Sequence, residues 1–340
     1  MRRREFLASA TFLKAMPGYR YRFPRDHFSH TDFQTEWWYY TGNLATLEGR
    51  QFGFELTFFR QALQPGVEGE SVWTTRDVYM AHLALTDVQG KQFYHAERLN
   101  RPGPGVAGAD AAQQRIWNGN WSCVLTPDLH TLRAVDERFR LDLQLRPAKP
   151  FVVHGVDGVS AKGALAGQAS HYISFPRLST TGRIELGAAS FAVNGTSWMD
   201  HEYFSSELDP ALAGWDWFSI QLENNTELML YRLRRKDGGA ASFSAGSFID
   251  ASGKTTHLAS GDFSMTPGRR WKDYPVEWQI AVAKFGVQLR AIPLLDEQEL
   301  VSKSKLAPTY WEGAIRLEGS HRGVGYLEMT GYRADLRFSR

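Results

Sequence analysis

Three ionisable side chains stand next to one another in the stretch SWMDHEYFSS (Ser197–Ser206): Asp200, His201 and Glu202. Tryptophan and methionine precede them, and Tyr203 and Phe204 follow. Charges inside an apolar run are costly to bury unless they are paired or used. Side chains alternate between the two faces of a strand. Asp200 and Glu202 would therefore share a face with Trp198, and His201 the opposite face with Met199 and Tyr203. Burial raises a carboxyl pKa and makes the group a proton donor near neutral pH. A histidine beside it can act as base or orient the acid. The same three residues would also suit a salt-bridged corner between two domains.

A second constellation is FPRDHFSHTDFQTEWWYYTG (Phe23–Gly42), with Asp26, His27, His30 and Asp32 followed by Glu36. His27 and His30, three apart and flanked by acids, are ligand types for a metal, with His201 as a third ligand from elsewhere. They would equally serve to cap strand ends. On a strand, Glu36, Trp38 and Tyr40 share one face and Trp37 and Tyr39 the other. Glu36 is then expected either to pair with an arginine, Arg60 or Arg76, or to line a cavity. A third cluster, GWDWF (Gly214–Phe218), puts Trp215 and Trp217 on one face and Asp216 on the other. Such rings build a core or stabilise a cation through their π faces. No serine sits in a Gly-x-Ser-x-Gly elbow, so an α/β-hydrolase mechanism has no support.

The elements that carry these residues read as strands. Helical periodicity is scarce, and alternating aromatic and β-branched segments are separated by turn residues. In FRLDLQLRP (Phe139–Pro147), Phe139, Leu141, Leu143 and Leu145 face one way and Arg140, Asp142, Gln144 and Arg146 the other, as in a half-solvated antiparallel strand. Segments 117–128, 130–137 and 138–150 predict three consecutive antiparallel strands. WDWFSIQLENNTELMLYRLRR predicts strand, Asn224-Asn225 turn, strand, and residues 311–332 another hairpin.

The two halves resemble each other. Trp38-Tyr39-Tyr40 followed by FELTFFR is matched by Trp217-Phe218-Ser219 followed by ELMLYRLR, and IWNGNW (116–121) by YWEGAI (310–315). The Gly/Pro/Ala-rich stretch Leu99–Gln114 is expected as a mobile excursion of the first half. The Gly-rich stretch His154–His171 is expected as the linker. The expected organisation is a tail or degenerate export signal at 1–20, one β domain at 21–165 and a second at 166–340.

The totals fit this reading. A chain of 340 residues holds about two domains. Hydrophobic residues at 43% supply a core, and a net charge of +2 gives no reason to invoke nucleic acid. Aromatics at 13% suit aromatic-lined β structure or a pocket for an apolar ligand. The single cysteine, Cys123, excludes an internal disulfide and thiolate metal clusters. No run of about 18 apolar residues exists, so no transmembrane helix is predicted. Arg3-Arg4-Glu5-Phe6-Leu7 looks like a twin-arginine export signal, although the apolar part behind it is short and carries Lys14. A periplasmic or secreted location is expected, with a basic tail on a cytoplasmic protein as the alternative.

The ordered set RFPRDH, H-x-D-F-x-T-E-W-W-Y-Y-T-G, SWMDHEYFSS, GWDWFSIQL, ELMLYRLR, YWEGAIRLEG and GYLEMTGY resembles the lipocalin-like AttH / hydroxyneurosporene synthase (carotenoid 1,2-hydratase) family from about Tyr21 to Tyr332. The resemblance implies an all-β fold of two tandem lipocalin-like antiparallel β-barrel domains. It implies binding of a hydrophobic, isoprenoid- or lipid-like molecule and acid-catalysed hydration of an alkene, without metal or organic cofactor. Asp200, His201 and Glu202 would be catalytic, with Asp200 the acid and His201 orienting it or activating water. Glu36, Trp38, Tyr40, Trp198, Trp215, Asp216 and Trp217 would bind substrate. The family also holds members labelled as secreted hydrolases or encoded beside ABC transporters. A non-catalytic lipocalin-like carrier associated with an ABC transporter, or a secreted hydrolase, is therefore the competing expectation.

Overall fold

The computed structural model describes residues 11–63, 75–205, 209, 211–302 and 309–333. Alternating apolar residues make nearly all of it strand, and no α-helix occurs among the described residues. β1 (Thr35–Ala45), β2 (Gln51–Ala62), β3 (Asp77–Asp87) and β4 (Gln92–Asn100) form an antiparallel meander. β5 (Ala107–Asp110), β6 (Arg115–Asn118), β7 (Trp121–Leu125), β8 (His130–Val135) and β9 (Phe139–Pro147) form another. The short strands β10 (Val152–Val153) and β11 (Ser160–Ala161) border a long hairpin, β12 (Ala169–Leu186) and β13 (Ala189–Phe204). That hairpin joins the meanders: β12 pairs with β9, and β13 pairs with β1.

The second sheet starts at β14 (Leu212–Leu222) and continues through β15 (Glu227–Arg235), β16 (Ala245–Ile249), β17 (Thr255–Ala259) and β18 (Ser264–Pro267). After the separate ladder of β19 (Arg270–Trp271) and β20 (Tyr274–Pro275) come β21 (Trp278–Val282), β22 (Val287–Pro293), β23 (Glu299–Leu300), β24 (Tyr310–Gly319) and β25 (Gly323–Met329). Both sheets curl into nearly closed barrels. In each, the first strand pairs with the last: β1 with β13, and β14 with β25. The Asn224-Asn225 turn joins β14 to β15 as expected, with Asn225 at φ 61°, a conformation asparagine tolerates better than most residues.

Three large apolar clusters follow from the alternation, beside a smaller fourth around Phe33 and Tyr203. The inward side chains of the first barrel include Trp38, Tyr40, Phe54, Leu143 and Met199. Those of the second include Phe218, Leu230, Trp278, Ile315 and Leu327. A third cluster lies between the outer faces of the barrels and holds Tyr39, Tyr172, Trp198, Trp217, Tyr231 and Tyr326. The seam between the barrels is thus itself a core.

Several expectations are corrected. The division expected at 165/166 falls ahead of β12 and β13, whose ladders with β9 and β1 belong to the first barrel; that barrel runs to Phe204 and the second begins at Leu212. The stretch 154–171 is not a linker between sheets, since it contains β11 and enters β12. The stretch 99–114 holds β5, paired to β6. The resemblance of IWNGNW to YWEGAI has no structural counterpart: the place of β24 in its sheet corresponds to β12, not β6. Part of the expected tail is packed, with Ala15 buried against Phe33, Val159, Ala169 and Tyr203. The twin-arginine-like residues lie outside the described residues.

Candidate functional site

β13 sits between β1 and β12, and its alternation sends Asp200 and His201 to opposite sides of the first barrel wall. Asp200 stands in register with Tyr39 on β1 and Ser174 on β12. It faces the seam. Trp198 Nε1 donates to Asp200 Oδ1 at 2.6 Å, Ser174 Oγ donates to the same oxygen, and Tyr172 OH bonds Oδ2 at 2.5 Å. Trp217 Nε1, from the second barrel, donates to the Tyr172 hydroxyl at 2.9 Å. The Trp217 ring meets Tyr39 edge-on at 5.2 Å. Ser174 also bonds His154 Nε2 at 2.6 Å. Burial pushes the Asp200 carboxyl up to about 7, against the opposing pull of the Ser174, Tyr172 and Trp198 hydrogen bonds. Asp200 is thus an acid able to hold or release a proton at neutral pH, set among aromatic rings.

Glu202 shares this face but is claimed by Lys162, whose Nζ lies 3.2 Å from Oε1, and by the Ser170 hydroxyl. Trp215 donates to Glu328 Oε1 at 3.1 Å. Asp216 points away from the seam and is held by Arg234 at 2.9 Å and Tyr332 at 2.8 Å.

His201 faces the interior of the first barrel. Its ring stacks on Trp38 at 5.0 Å, and Nε2 lies 2.8 Å from Glu36 Oε1. His30 Nδ1 reaches the same oxygen at 2.8 Å, and the His30 ring stacks on Tyr203 at 3.6 Å. Arg60 Nε donates to Glu36 Oε2 at 3.0 Å, and its Nη1 donates to Asp77 at 2.9 Å. Of the two arginines expected as partners of Glu36, Arg60 is the one used, because the ladder of β1 with β2 sets the two in register. Burial alone would lift the Glu36 carboxyl, but His30, His201 and Arg60 together hold it well below the usual range.

His30, Glu36 and His201 offer nitrogen and oxygen atoms within 4.8 Å of one another. The arrangement is that of an ion network. Both imidazoles are at hydrogen-bond distance from one carboxylate oxygen, and a buried guanidinium holds the other. A divalent cation would have to compete with Arg60 for Glu36. His27 takes no part: its ring packs on Phe23, Phe151 and Phe175, and its carbonyl accepts from Trp38 Nε1 at 2.9 Å. Asp32 is exposed.

The structure therefore gathers Asp200, Trp198, Trp215 and Trp217 at the seam. It places His201, Glu36, Trp38 and Tyr40 on the inner side of the first barrel, where Tyr40 bonds His130 Nδ1 at 3.0 Å. Tyr172, Ser174 and Lys162 belong to the seam and were missed. Their signal is weak in the sequence, because only the pairing of β12 with β13 brings Tyr172 and Ser174 to Asp200.

A family model described as AttH-like matches residues 14–332, so the chain belongs to that family. A crystal structure of a Nitrosomonas europaea protein assigned to AttH is 34% identical and superposes with a TM-score of 0.85, covering 94% of this chain and 100% of that one. The fold is also that of kievitone hydratase from Nectria haematococca, at 13% identity and TM-score 0.68 over 95% and 99% of the two chains. CghA in complex with Sch210972 matches at 10% identity and TM-score 0.53 over 98% of each chain. No curated protein matches by sequence. Among the described residues, no helix is long and apolar enough to cross a membrane.

Proposed function

We propose that this AttH-like protein is a hydratase of the carotenoid 1,2-hydratase type, adding water to an alkene of a hydrophobic, isoprenoid- or lipid-like molecule held at the seam. One observation carries the reading: Asp200 is buried, titrates near neutrality and is ringed by Trp198, Tyr172 and Trp217. When Asp200 is protonated, its Oδ2 donates to the Tyr172 oxygen, which also accepts from Trp217. The phenol proton is then free to point at the substrate. Tyr172 delivers that proton to the alkene and takes the Asp200 proton in return. The Trp198 and Trp217 faces stabilise the tertiary cation. Water attacks the cation and returns its proton to the Asp200 carboxylate. His201, on the far side of β13, acts here only as a positioning residue for the strand.

The test is incubation with an acyclic isoprenoid in oxygen-18 water and mass detection of labelled alcohol. Asp200→Asn is expected to abolish label incorporation while the circular dichroism spectrum and melting temperature hold. Full incorporation by the variant would sink the assignment.

One observation favours a second reading. Every Asp200 oxygen already has a partner inside the protein, as a purely structural interbarrel network requires. A non-catalytic carrier serving an ABC transporter outside the cytoplasm would have such a network. Native mass spectrometry of the protein from its own host separates the two readings: a carrier retains an unmodified lipid, and a hydratase releases a hydroxylated one.

A further inference from the structure

Beside the Asp200 network, the seam holds a second set of buried polar groups that the proposed chemistry does not use. Glu55 on β2, His82 on β3, Glu312 on β24 and Tyr326 on β25 are 0–1% exposed. Each has one side fixed or packed and one polar atom without a partner: Glu55 Oε2, His82 Nε2, Glu312 Oε2 and the Tyr326 hydroxyl. Thr57 holds the other Glu55 oxygen, Tyr39 the other Glu312 oxygen, and Tyr310 OH lies 2.5 Å from His82 Nδ1. An unpartnered buried polar atom costs free energy that native interiors avoid unless something uses it. The four atoms come from both barrels, and Glu55, Glu312 and Tyr326 lie within electrostatic reach of one another where β2 meets β24. There, a Cβ on Gly53 would lie 2.5 Å from Ala314 Cβ.

We infer that Glu55, His82, Glu312 and Tyr326 form a pocket for the uncharged polar end of the hydrophobic ligand, a hydroxyl, ketone or ester oxygen. This rests on the reading of the seam as the ligand site. Tyr39 links the two ends, its ring against Trp217 and its hydroxyl on Glu312. The chemistry of the pocket selects a neutral group. Glu312 and Glu328 stand directly opposite one another across the ladder; burial first and then the Glu328 charge lift the Glu312 carboxyl well above its usual range, and burial pushes Glu328 up to about 8. Glu55 lies within their electrostatic reach, and burial pushes its carboxyl up to about 8. Burial holds His82 neutral, at about 3. Protonated carboxyls and a phenol both donate and accept hydrogen bonds, which suits a hydroxyl or a carbonyl. None of the four residues supplies a fixed positive charge to receive a carboxylate.

The test uses Asp200→Asn protein, so that bound probe is not turned over, and compares farnesol with farnesoic acid by titration calorimetry at pH 7. Farnesol is expected to bind at least tenfold more tightly. Tyr326→Phe removes a hydroxyl that has no partner, so its melting temperature should hold or rise while farnesol affinity falls about fivefold or more. Glu312→Gln, a neutral isostere, should keep the preference for farnesol. Equal or tighter binding of farnesoic acid, unchanged farnesol affinity in Tyr326→Phe, or no binding of either probe would overturn the pocket. Absence of hydration in wild-type protein that still prefers farnesol would overturn the catalytic reading alone.

Discussion

Two buried carboxyls in adjacent strands are driven to opposite ionisation states by their partners. Glu36 has Arg60 at 3.0 Å and two histidines at 2.8 Å, and it stays ionised. Asp200 has only neutral hydrogen-bond donors, and burial lifts it to about 7. The difference makes Glu36 a structural anion and Asp200 a candidate acid. Arg60→Met should therefore destabilise the fold by about 3–5 kcal/mol, the usual result of removing one partner from a buried ion pair. The double variant Arg60→Met, Glu36→Gln should recover most of that loss. Urea midpoints of Arg60→Met, Glu36→Gln and the double variant check this, and additive losses would refute the pairing. That Glu36 would either pair with an arginine or line a cavity was legible in the sequence. The choice of Arg60 over Arg76 required the register of β1 with β2.

At the level of elements, the internal likeness of the halves was legible where strands sit at equivalent places. The pair β1–β2 and the pair β14–β15 each open a sheet whose first strand closes on its last. The likeness failed for β6 and β24, because a shared Trp and Gly do not imply an equivalent place: IWNGNW turns from β6 into β7, whereas YWEGAI lies within the single strand β24. Close packing within the wall explains one glycine. In β1, a Cβ on Gly42 would lie 2.4 Å from the Phe54 ring and 2.5 Å from Ser197 Oγ, in the strands on either side. Gly42→Ala is expected to lower stability by about 1–3 kcal/mol, the typical cost of overpacking. A thermal melt of the variant with no loss would contradict the ladder described here.

Across the whole molecule, the barrels are locked by polar contacts as well as by aromatics. Glu227 of the second barrel receives Lys149 at 2.8 Å and Arg177 at 2.5 Å from the first. Gln221 Nε2 donates to the carbonyls of Pro176 and Ser197. The buried titratable groups give this assembly a characteristic pH profile. Asp200 at about 7, and Glu55 and Glu328 at about 8, keep protons that the unfolded chain releases near pH 4. Stability from these groups is complete below that pH and is lost as pH rises toward 8. His27, His82, His130 and His154, all held near 3, refuse protons that the unfolded chain takes up below about 6.5, so stability falls as pH drops from there. Each group contributes a slope of up to about 1.4 kcal/mol per pH unit in its window. The two sets nearly cancel in mildly acid solution. A broad stability maximum at about pH 4.5–6.5 is therefore expected, with decline on either side. Chemical denaturation midpoints between pH 3 and 9 measure it, and a maximum above pH 8 would be incompatible with protonated acids at the seam.

The sequence by itself determined the all-β class, most strand positions and the faces taken by Trp198 through Tyr203, because two-residue alternation is a local property of an extended chain. It left open whether Asp200, His201 and Glu202 form a site or a corner between two domains. Only the tertiary structure decided that His201 turns away from Asp200 into the first barrel, and that the first barrel extends through β12 and β13. It alone supplied Tyr172, Ser174 and Glu312 to the seam. These facts depend on which distant strands pair and in what register, and on how two curled sheets lie against each other. Residues far apart in the chain, such as Tyr39 and Glu312, leave no local pattern that announces their contact.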